Sequence, residues 1–458
     1  MNIWSRHDIS VLFMLVIVGL VLRAQNLFSP FYYDEAVYVN LAQHPFHSDF
    51  YPDQIFFRHP PLHYLLLAAL GSIAGYSEVV MRIPSLLFST ATIIFIYLVG
   101  RRLKTSATGL VAATLLTFNV LHQQYAQAAT MYSLLAFWLT LSVYSMLSKN
   151  ERGVAIGFLG AIYTHYFGFY LTPAVVLFYY HRHNCDWKKV AGKMALYILA
   201  YSPWIAIALQ GLAFHALRFY ALQMSGLRWW DFHWHNLFRQ LSAILVVGMI
   251  YFSFIQRRQK LIQPVLVLCW FFLLSALFLI PFHRYLAPFL PILIALGVAG
   301  LAEWRTRIAE RFQLHGKFFR AATWAVLFAG LSVPNIEAHG FYPIMGRHLD
   351  WRDAVHTQEW RRVVAAIPAG NVAASNIRSL LFYSNLQSLR QFRATQFNEN
   401  LKEFSALIER AEHDWLVVPK YPLYAPLITL ANSSNHYQSF AELDYTVIYR
   451  KVNAHKRN

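Results

Sequence analysis

Asp34 and Glu35 are adjacent carboxylates that follow an apolar run at residues 9–22, closed by Arg23. A bilayer penalises charge, so acids at the mouth of a membrane segment are functional by default. One such carboxylate can take the proton of an attacking hydroxyl, the work of a general base. Its neighbour can orient it or share a divalent cation, magnesium or manganese. Asp34 and Glu35 are the ligands the pattern offers for such an ion, though nothing in it demands one. The bland alternative is a solvated pair that caps the next helix.

Other polar residues follow at similar positions relative to apolar segments. They are Arg58-His59-Pro60-Pro61, His122-Gln123-Gln124-Tyr125, Tyr132, His165-Tyr166, residues 214–236 and His283-Arg284-Tyr285. Arg284, flanked by a histidine and a tyrosine, suits a lipid phosphate, and its alternative is a side chain that snorkels from a span end. His165 is equally well read as a satisfied histidine at a helix turn. Trp229, Trp230 and Trp234 read as an interface belt ahead of a substrate cage. Pro60-Pro61 fixes an extended lead-in to the apolar stretch after it.

The elements that must position these residues are membrane helices. The chain is 57% hydrophobic and only 13% charged, against about 25% charged in soluble domains. Its net charge of +17 does not indicate nucleic acid, because the basic residues sit between apolar segments, where topology accounts for them. Cys185 and Cys269 follow no metal spacing and read as free thiols. A span needs about 20 apolar residues, which predicts about eleven, starting near residues 9, 82, 107, 131, 153, 166, 191, 237, 263, 285 and 320. The first resembles a signal peptide but lacks a good cleavage site, and reads as an uncleaved span.

With the N-terminus inside, the clusters around Arg101, Lys149, Arg182, Arg257 and Arg305 all face the cytoplasm, as basic loops prefer. Outer loops keep Arg23, Arg58, Arg82, Arg218, Arg228, Arg239 and Arg284. Residues 62–75 are too short to span and read as an interfacial or re-entrant helix. Residues 153–181 read as a tight hairpin with Thr164-His165-Tyr166 near its outer tip. From residue 340 the long apolar runs stop. Strand-like runs at 371–375, 415–419 and 445–449 alternate with amphipathic stretches at 351–367 and 404–411, the pattern of a small α/β domain. The expected architecture is therefore an α-helical polytopic membrane protein. A membrane domain spans 1–339, and an extracytoplasmic α/β domain spans 340–458.

Several short motifs occur in a fixed order. They are Asp34-Glu35 with Tyr38, Pro60-Pro61-Leu62-His63-Tyr64, Gly75-Tyr76-Ser77-Glu78, Arg82-Ile83-Pro84-Ser85 and Arg101-Arg102-Leu103. Then come Tyr125-Ala126-Gln127, Met131-Tyr132-Ser133-Leu134, Thr164-His165-Tyr166-Phe167-Gly168 and Arg284-Tyr285-Leu286-Ala287-Pro288. As an ordered set over residues 1–336 they resemble the C-type glycosyltransferase superfamily, in the branch of the protein O-mannosyltransferases and bacterial aminoarabinose transferases. The resemblance implies a multi-pass enzyme of the plasma (inner) membrane that takes a sugar from a polyprenyl-phosphate donor. The acceptor is a lipid, glycan or protein hydroxyl, the site lies on the extracytoplasmic face, and nucleic acid has no part.

Asp34 matches the family's catalytic Asp, with Glu35 beside it. Arg58, His59, Tyr64, Tyr132, His165, Tyr166, Arg284 and Tyr285 are the implied substrate contacts. The chain departs from the pattern at Gln127-Ala128-Ala129-Thr130, where many relatives read Gln-Glu-Ala-Arg, and at Arg58-His59, where some carry an acid and a lysine. A second acidic site, and a metal site built on it, are thereby missing. The competing reading is a lipid-linked sugar transporter or non-catalytic scaffold. Transporters show internal repeats and midplane charge, whereas here the polar residues gather at one rim. A member that kept the fold and lost the chemistry is the third reading. The topology has a direct test. In a background without Cys185 and Cys269, Ser106→Cys should label from the cytoplasmic side and Ser379→Cys from the outside, and labelling of both from one side overturns it.

Overall fold

Several helices start where a polar side chain closes the first turn. Ser5 accepts from Asp8 N, Thr105 from Thr108 N, Asn119 from His122 N and Asn150 from Gly153 N, at 3.0, 3.2, 2.9 and 3.1 Å. Each satisfies a backbone donor that the helix leaves open. The computed structural model describes residues 5–29, 31, 33–43, 59–224, 243–279, 285–312, 360–367, 371–374, 389–391, 397–419, 425–443 and 446–452. The chain divides into two compact units. One is Met1–Leu27 with His44–Arg347, the other Phe28–Gln43 with His348–Asn458. The expected boundary at 339/340 lies outside the described residues.

The first unit contains α1 (Arg6–Ala24), α3 (Leu62–Ala74), α4 (Glu78–Leu103), α5 (Ser106–Phe118), α6 (Val120–Ala126), α7 (Tyr132–Leu147) and α8 (Glu151–Thr164). A 3-10 segment (Tyr166–Leu171) follows, then α9 (Thr172–Arg182), α10 (Trp187–Met224), α11 (Ala243–Gln256), α12 (Gln263–Leu279) and α13 (Leu290–Arg311). Helix α2 (Tyr33–Gln43) belongs to the second unit. α4 is central and packs on α1, α5, α7 and α13. α13 also lies along α11, where a Cβ on Gly300 would overlap the Gly248 carbonyl, and Lys104 at the end of α4 pairs with Glu303.

Among the described residues three helices are long and apolar enough to cross a membrane: Arg6–Ala24, Glu78–Leu103 and Trp187–Ile207. Five more are apolar but shorter: Leu62–Ala74, Ser106–Phe118, Tyr132–Leu147, Ile244–Gln256 and Gln263–Leu274. The chain is thus a multi-pass membrane protein, but the structure does not show eleven full spans. The reason is local. The run expected from 107 breaks at Asn119, whose extended backbone (ψ 120°) ends α5 and starts α6. The run expected from 166 opens with a 3-10 turn. The starts near 237 and 320 lie outside the described residues.

Two segments, residues 62–75 and 153–181, form short helices with sharp ends. α3 has 13 residues and ends at Gly75, whose φ of 83° suits glycine and whose N–H bonds Gly71 O at 2.8 Å. α8 ends at His165, where the backbone is extended (φ −158°, ψ 148°). Beyond it the chain folds back so tightly that a Cβ on Gly168 would overlap the Ala161 backbone.

The second unit carries a mixed sheet of β1 (Val372–Ala374), β2 (Leu389–Gln391), β3 (Trp415–Pro419), β4 (Tyr437–Glu442) and β5 (Thr446–Lys451). The strand order is β2-β1-β3-β5-β4, parallel from β2 to β3 and antiparallel beyond. Alternation sets its two faces. Leu416, Val418, Val447 and Tyr449 pack with Phe404 and Leu407 of α15 (Phe397–Arg410) and Leu427 of α16 (Ala425–Ser433). Trp415, Val417 and Ile448 pack on the other face with Val363 of α14 (Trp360–Ala366).

The glycine contact between α11 and α13 predicts a stability effect. Gly300→Val should destabilise the purified protein by about 1–3 kcal/mol through overpacking. A thermal melt equal to wild type would show that the two helices can part without cost.

Candidate active site

Four sequence segments meet at one cluster of rings. His59 precedes the Pro60-Pro61 lead-in to α3, Tyr132 opens α7, His165 stands at the break after α8, and Tyr285 lies ahead of α13. The His59 and His165 ring centroids are 5.3 Å apart. Tyr132 lies 6.0 Å from His165 and 6.4 Å from Tyr285, and His165 lies 6.5 Å from Tyr285. Phe167 fills the space between, 4.6 Å from His165 and 4.8 Å from Tyr285. Tyr125 stands edge-on to Tyr132 at 4.8 Å. Aromatic faces with imidazole and phenol groups between them suit a sugar ring and an anion.

His165 does two things. Its Nδ1 accepts from Phe167 N at 3.0 Å and starts the 3-10 segment. In the neutral ring the proton is therefore on Nε2, so the side chain presents a donor. The helix-turn reading thus holds for one nitrogen, while the ring itself belongs to the cluster. Tyr64 and Tyr166 are both buried. Tyr166 also faces Trp204 and Tyr201 of α10, both buried. These two residues were not expected from the sequence. The signal was present as Tyr197, Tyr201 and Trp204, one face of a helix at spacings of four and three.

Asp34 and Glu35 occupy the first turn of α2, where the helix dipole favours carboxylates. The solvated-loop reading fails for Glu35, which is only 1% exposed. The side chain of Asp34 lies outside the described residues, as do Arg58, His283 and Arg284. Among the described residues no three His, Cys, Asp or Glu side chains come together as a metal site. Cys185 and Cys269 are free thiols, one exposed and one buried.

The connection from α6 to α7 is held by uncharged bonds. Gln127 Nε2 donates to Leu22 O at 2.8 Å, and Asn26 Nδ2 donates to Gln127 Oε1 at 2.7 Å. Ser85 Oγ donates to Thr130 O at 3.2 Å, and His63 Nε2 meets Ala129 O at 3.3 Å. Ala128 and Thr130, which stand where many relatives have Glu and Arg, are buried. Arg23 and Arg82, expected in loops, instead lie within the helices α1 and α4, and both are buried. Arg82 Nη1 donates to Asn26 O and Leu27 O at 2.9 and 3.0 Å. A loop carbonyl inside a membrane unit needs such a donor, which hydropathy alone does not reveal.

Part of the chain matches a protein family, and its fold matches several solved structures. Residues 58–207, which include His59, Tyr64, Tyr132, His165 and Tyr166, match the family profile of dolichyl-phosphate-mannose-protein mannosyltransferases. ArnT from Cupriavidus metallidurans, solved bound to undecaprenyl phosphate, aligns with a TM-score of 0.56 at 15% identity, over 96% of this chain and 98% of its own. The oligosaccharyltransferase AglB from Archaeoglobus fulgidus, solved with an inhibitory peptide and a dolichol-phosphate, aligns with a TM-score of 0.56 at 14% identity, over 90% of this chain and 69% of its own. The Archaeoglobus fulgidus oligosaccharyltransferase tethered to an acceptor peptide gives a TM-score of 0.61 at 14% identity, over 98% of this chain and 74% of its own. The chain therefore shares their fold, and the resemblance to the mannosyltransferase branch is borne out over residues 58–207. No curated protein sequence matches the chain significantly.

The double engagement of His165 can be separated by mutation. Asn can still accept from a backbone N–H two residues on, but it lacks the second ring nitrogen. His165→Ala should lose about 0.5–2 kcal/mol of stability as a lost cap. His165→Asn should restore the melting temperature and leave activity low. Full activity in His165→Asn would reduce His165 to a cap.

Proposed function

We propose that this chain is a glycosyltransferase that moves a sugar from a polyprenyl-phosphate donor to an acceptor hydroxyl, inverting the transferred carbon, on the extracytoplasmic side of the plasma (inner) membrane. The observation that carries this reading is the meeting of His59, Tyr132, His165 and Tyr285 from four distant segments, three of them within the matched region. The shared fold supports it, since solved relatives hold undecaprenyl phosphate or dolichol-phosphate. In this reading the small C-terminal domain also faces outward.

The chemistry assigns each group a task. Asp34 takes the acceptor's proton as its oxygen bonds the anomeric carbon. The bond from that carbon to the donor's phosphate oxygen breaks, and its electron pair leaves with the lipid phosphate. Arg284, with Arg58 and His59, stabilises the charge that grows there. His165 Nε2–H, Tyr64, Tyr132, Tyr166 and Tyr285 hold sugar hydroxyls or phosphate oxygens. Glu35 orients Asp34 or shares a divalent cation with it. The acceptor is a hydroxyl on a lipid, a glycan or a protein.

The test begins with mass spectrometry of membrane lipids and envelope glycans from cells with and without the gene, which should reveal the transferred sugar. With that assay in hand, Asp34→Asn should insert normally and lose about 10²- to 10⁴-fold in rate. Arg284→Ala should raise KM for the lipid-linked donor, and Arg284→Lys should recover part of the loss, since lysine lacks the fork of arginine. Chelation should reproduce a Glu35→Gln defect only if that pair holds a metal. Full transfer by Asp34→Asn would overturn the base assignment.

A further inference from the structure

Arg23 ends α1 as a fully buried guanidinium. An arginine has five N–H donors, and here all five find acceptors. Nε donates to Ser89 Oγ at 2.8 Å. Nη1 donates to Gly19 O and Thr117 O at 3.1 and 3.3 Å. Nη2 donates to Leu116 O at 3.1 Å and to His122 Nδ1 at 2.9 Å. These acceptors come from α1, α4, α5 and α6, and none is a carboxylate. Leu116 and Thr117 belong to the last turn of α5, whose carbonyls have no partner within the helix and carry the negative end of its dipole.

Stability alone does not account for this residue. Burying a charge is costly, and apolar packing of similar volume is often as stable or more so. What the guanidinium adds is geometry, a planar fork joining helix ends that apolar side chains would leave free to shift. Since arginine only donates, His122 Nδ1 must accept, which fixes the neutral ring with its proton on Nε2.

From His122 the path to the ring cluster is short. Asn119 Oδ1 accepts from His122 N and starts α6. Gln127, just past α6, is bonded to Leu22 O and Asn26, on either side of Arg23. Ser133 Oγ donates to Tyr125 O at 2.8 Å, and the Tyr125 ring supports Tyr132. We infer that Arg23 is a positioning residue: it locks the α5–α6 break against α1 and α4, and thereby sets where Tyr132 meets His165 and Tyr285. Only the kinetic part of its test rests on the glycosyl-transfer reading.

The experiment uses the full chain in lipid nanodiscs, with the variants Arg23→Lys, His122→Leu and His122→Asn. Asn Oδ1 can take the place of the imidazole Nδ1 as acceptor, whereas Leu cannot. Hydrogen–deuterium exchange is followed along the chain, and transfer is measured with a total extract of polyprenyl-phosphate sugars as donor. Arg23→Lys and His122→Leu should raise exchange in residues 119–133 by about tenfold, the loss of one bond to a charged donor, and leave α8 as in wild type. They should lower kcat by about 10²-fold, the cost of a misplacement near 1 Å, with little change in KM. His122→Asn should restore both. Unchanged exchange in residues 119–133, or an even rise throughout the membrane unit including α8, overturns the inference and leaves Arg23 a general stabiliser. The expected exchange pattern in a protein whose wild type transfers no sugar upholds the positioning and defeats the enzymatic reading. Transfer at the wild-type rate by Arg23→Lys and His122→Leu does the reverse.

Discussion

Within a bilayer every backbone carbonyl must find a donor inside the protein, and this chain breaks its helices where its candidate site lies. The break at Asn119, the loop at 127–131 and the turn at His165 all release backbone groups. At the first two the donors are polar side chains reaching in from α1, α3 and α4, while the turn at His165 is closed by Gly168 N donating to His165 O. Arg23 takes the end of α5, Arg82 the carbonyls after α1, Ser85 and His63 those of Thr130 and Ala129. Irregular backbone is tolerated at this depth only when so covered, and the ring cluster rests on that cover. The same constraint explains why the region is rich in polar side chains.

The lack of the acid and arginine seen in many relatives before Tyr132 fits this picture. An ion pair could hold the 127–131 loop from within. Here hydrogen bonds from neighbouring helices hold it instead, and Ala128 and Thr130 are enclosed. The substitution removes two charges from a low-dielectric location and leaves a loop that is positioned from outside itself.

Much of this was legible in the sequence. The two prolines and Gly75 marked the ends of α3, and the polar residues between apolar runs marked the convergence of His59, Tyr132, His165 and Tyr285. Alternation at 415–419 and 445–449 marked the strands at Trp415–Pro419 and Thr446–Lys451. Other parts were not legible for physical reasons. Hydropathy sums over Asn119 and so merged two helices into one span. Arg23 and Arg82 sit at span ends, where a snorkelling arginine and a buried one have the same sequence. β4 is an edge strand with only Tyr437 fully enclosed and a bulge near Ser439, so it lacks the alternation that announces a strand. β2 has three residues, too few for any period.

The glycine contact of α11 and α13 has a mechanical consequence. Tyr285 stands just ahead of α13, and α13 is clamped on one side by Gly248 and on another by the Lys104–Glu303 pair. Tyr132 opens α7, which is packed along α4 and α8. These two phenols form stiff walls. His59 instead stands at a bend directly before Pro60-Pro61. A ligand too large for the space between the rings therefore meets compliance at His59 and resistance everywhere else, so differences in ligand size should register as displacement of the lead-in to α3.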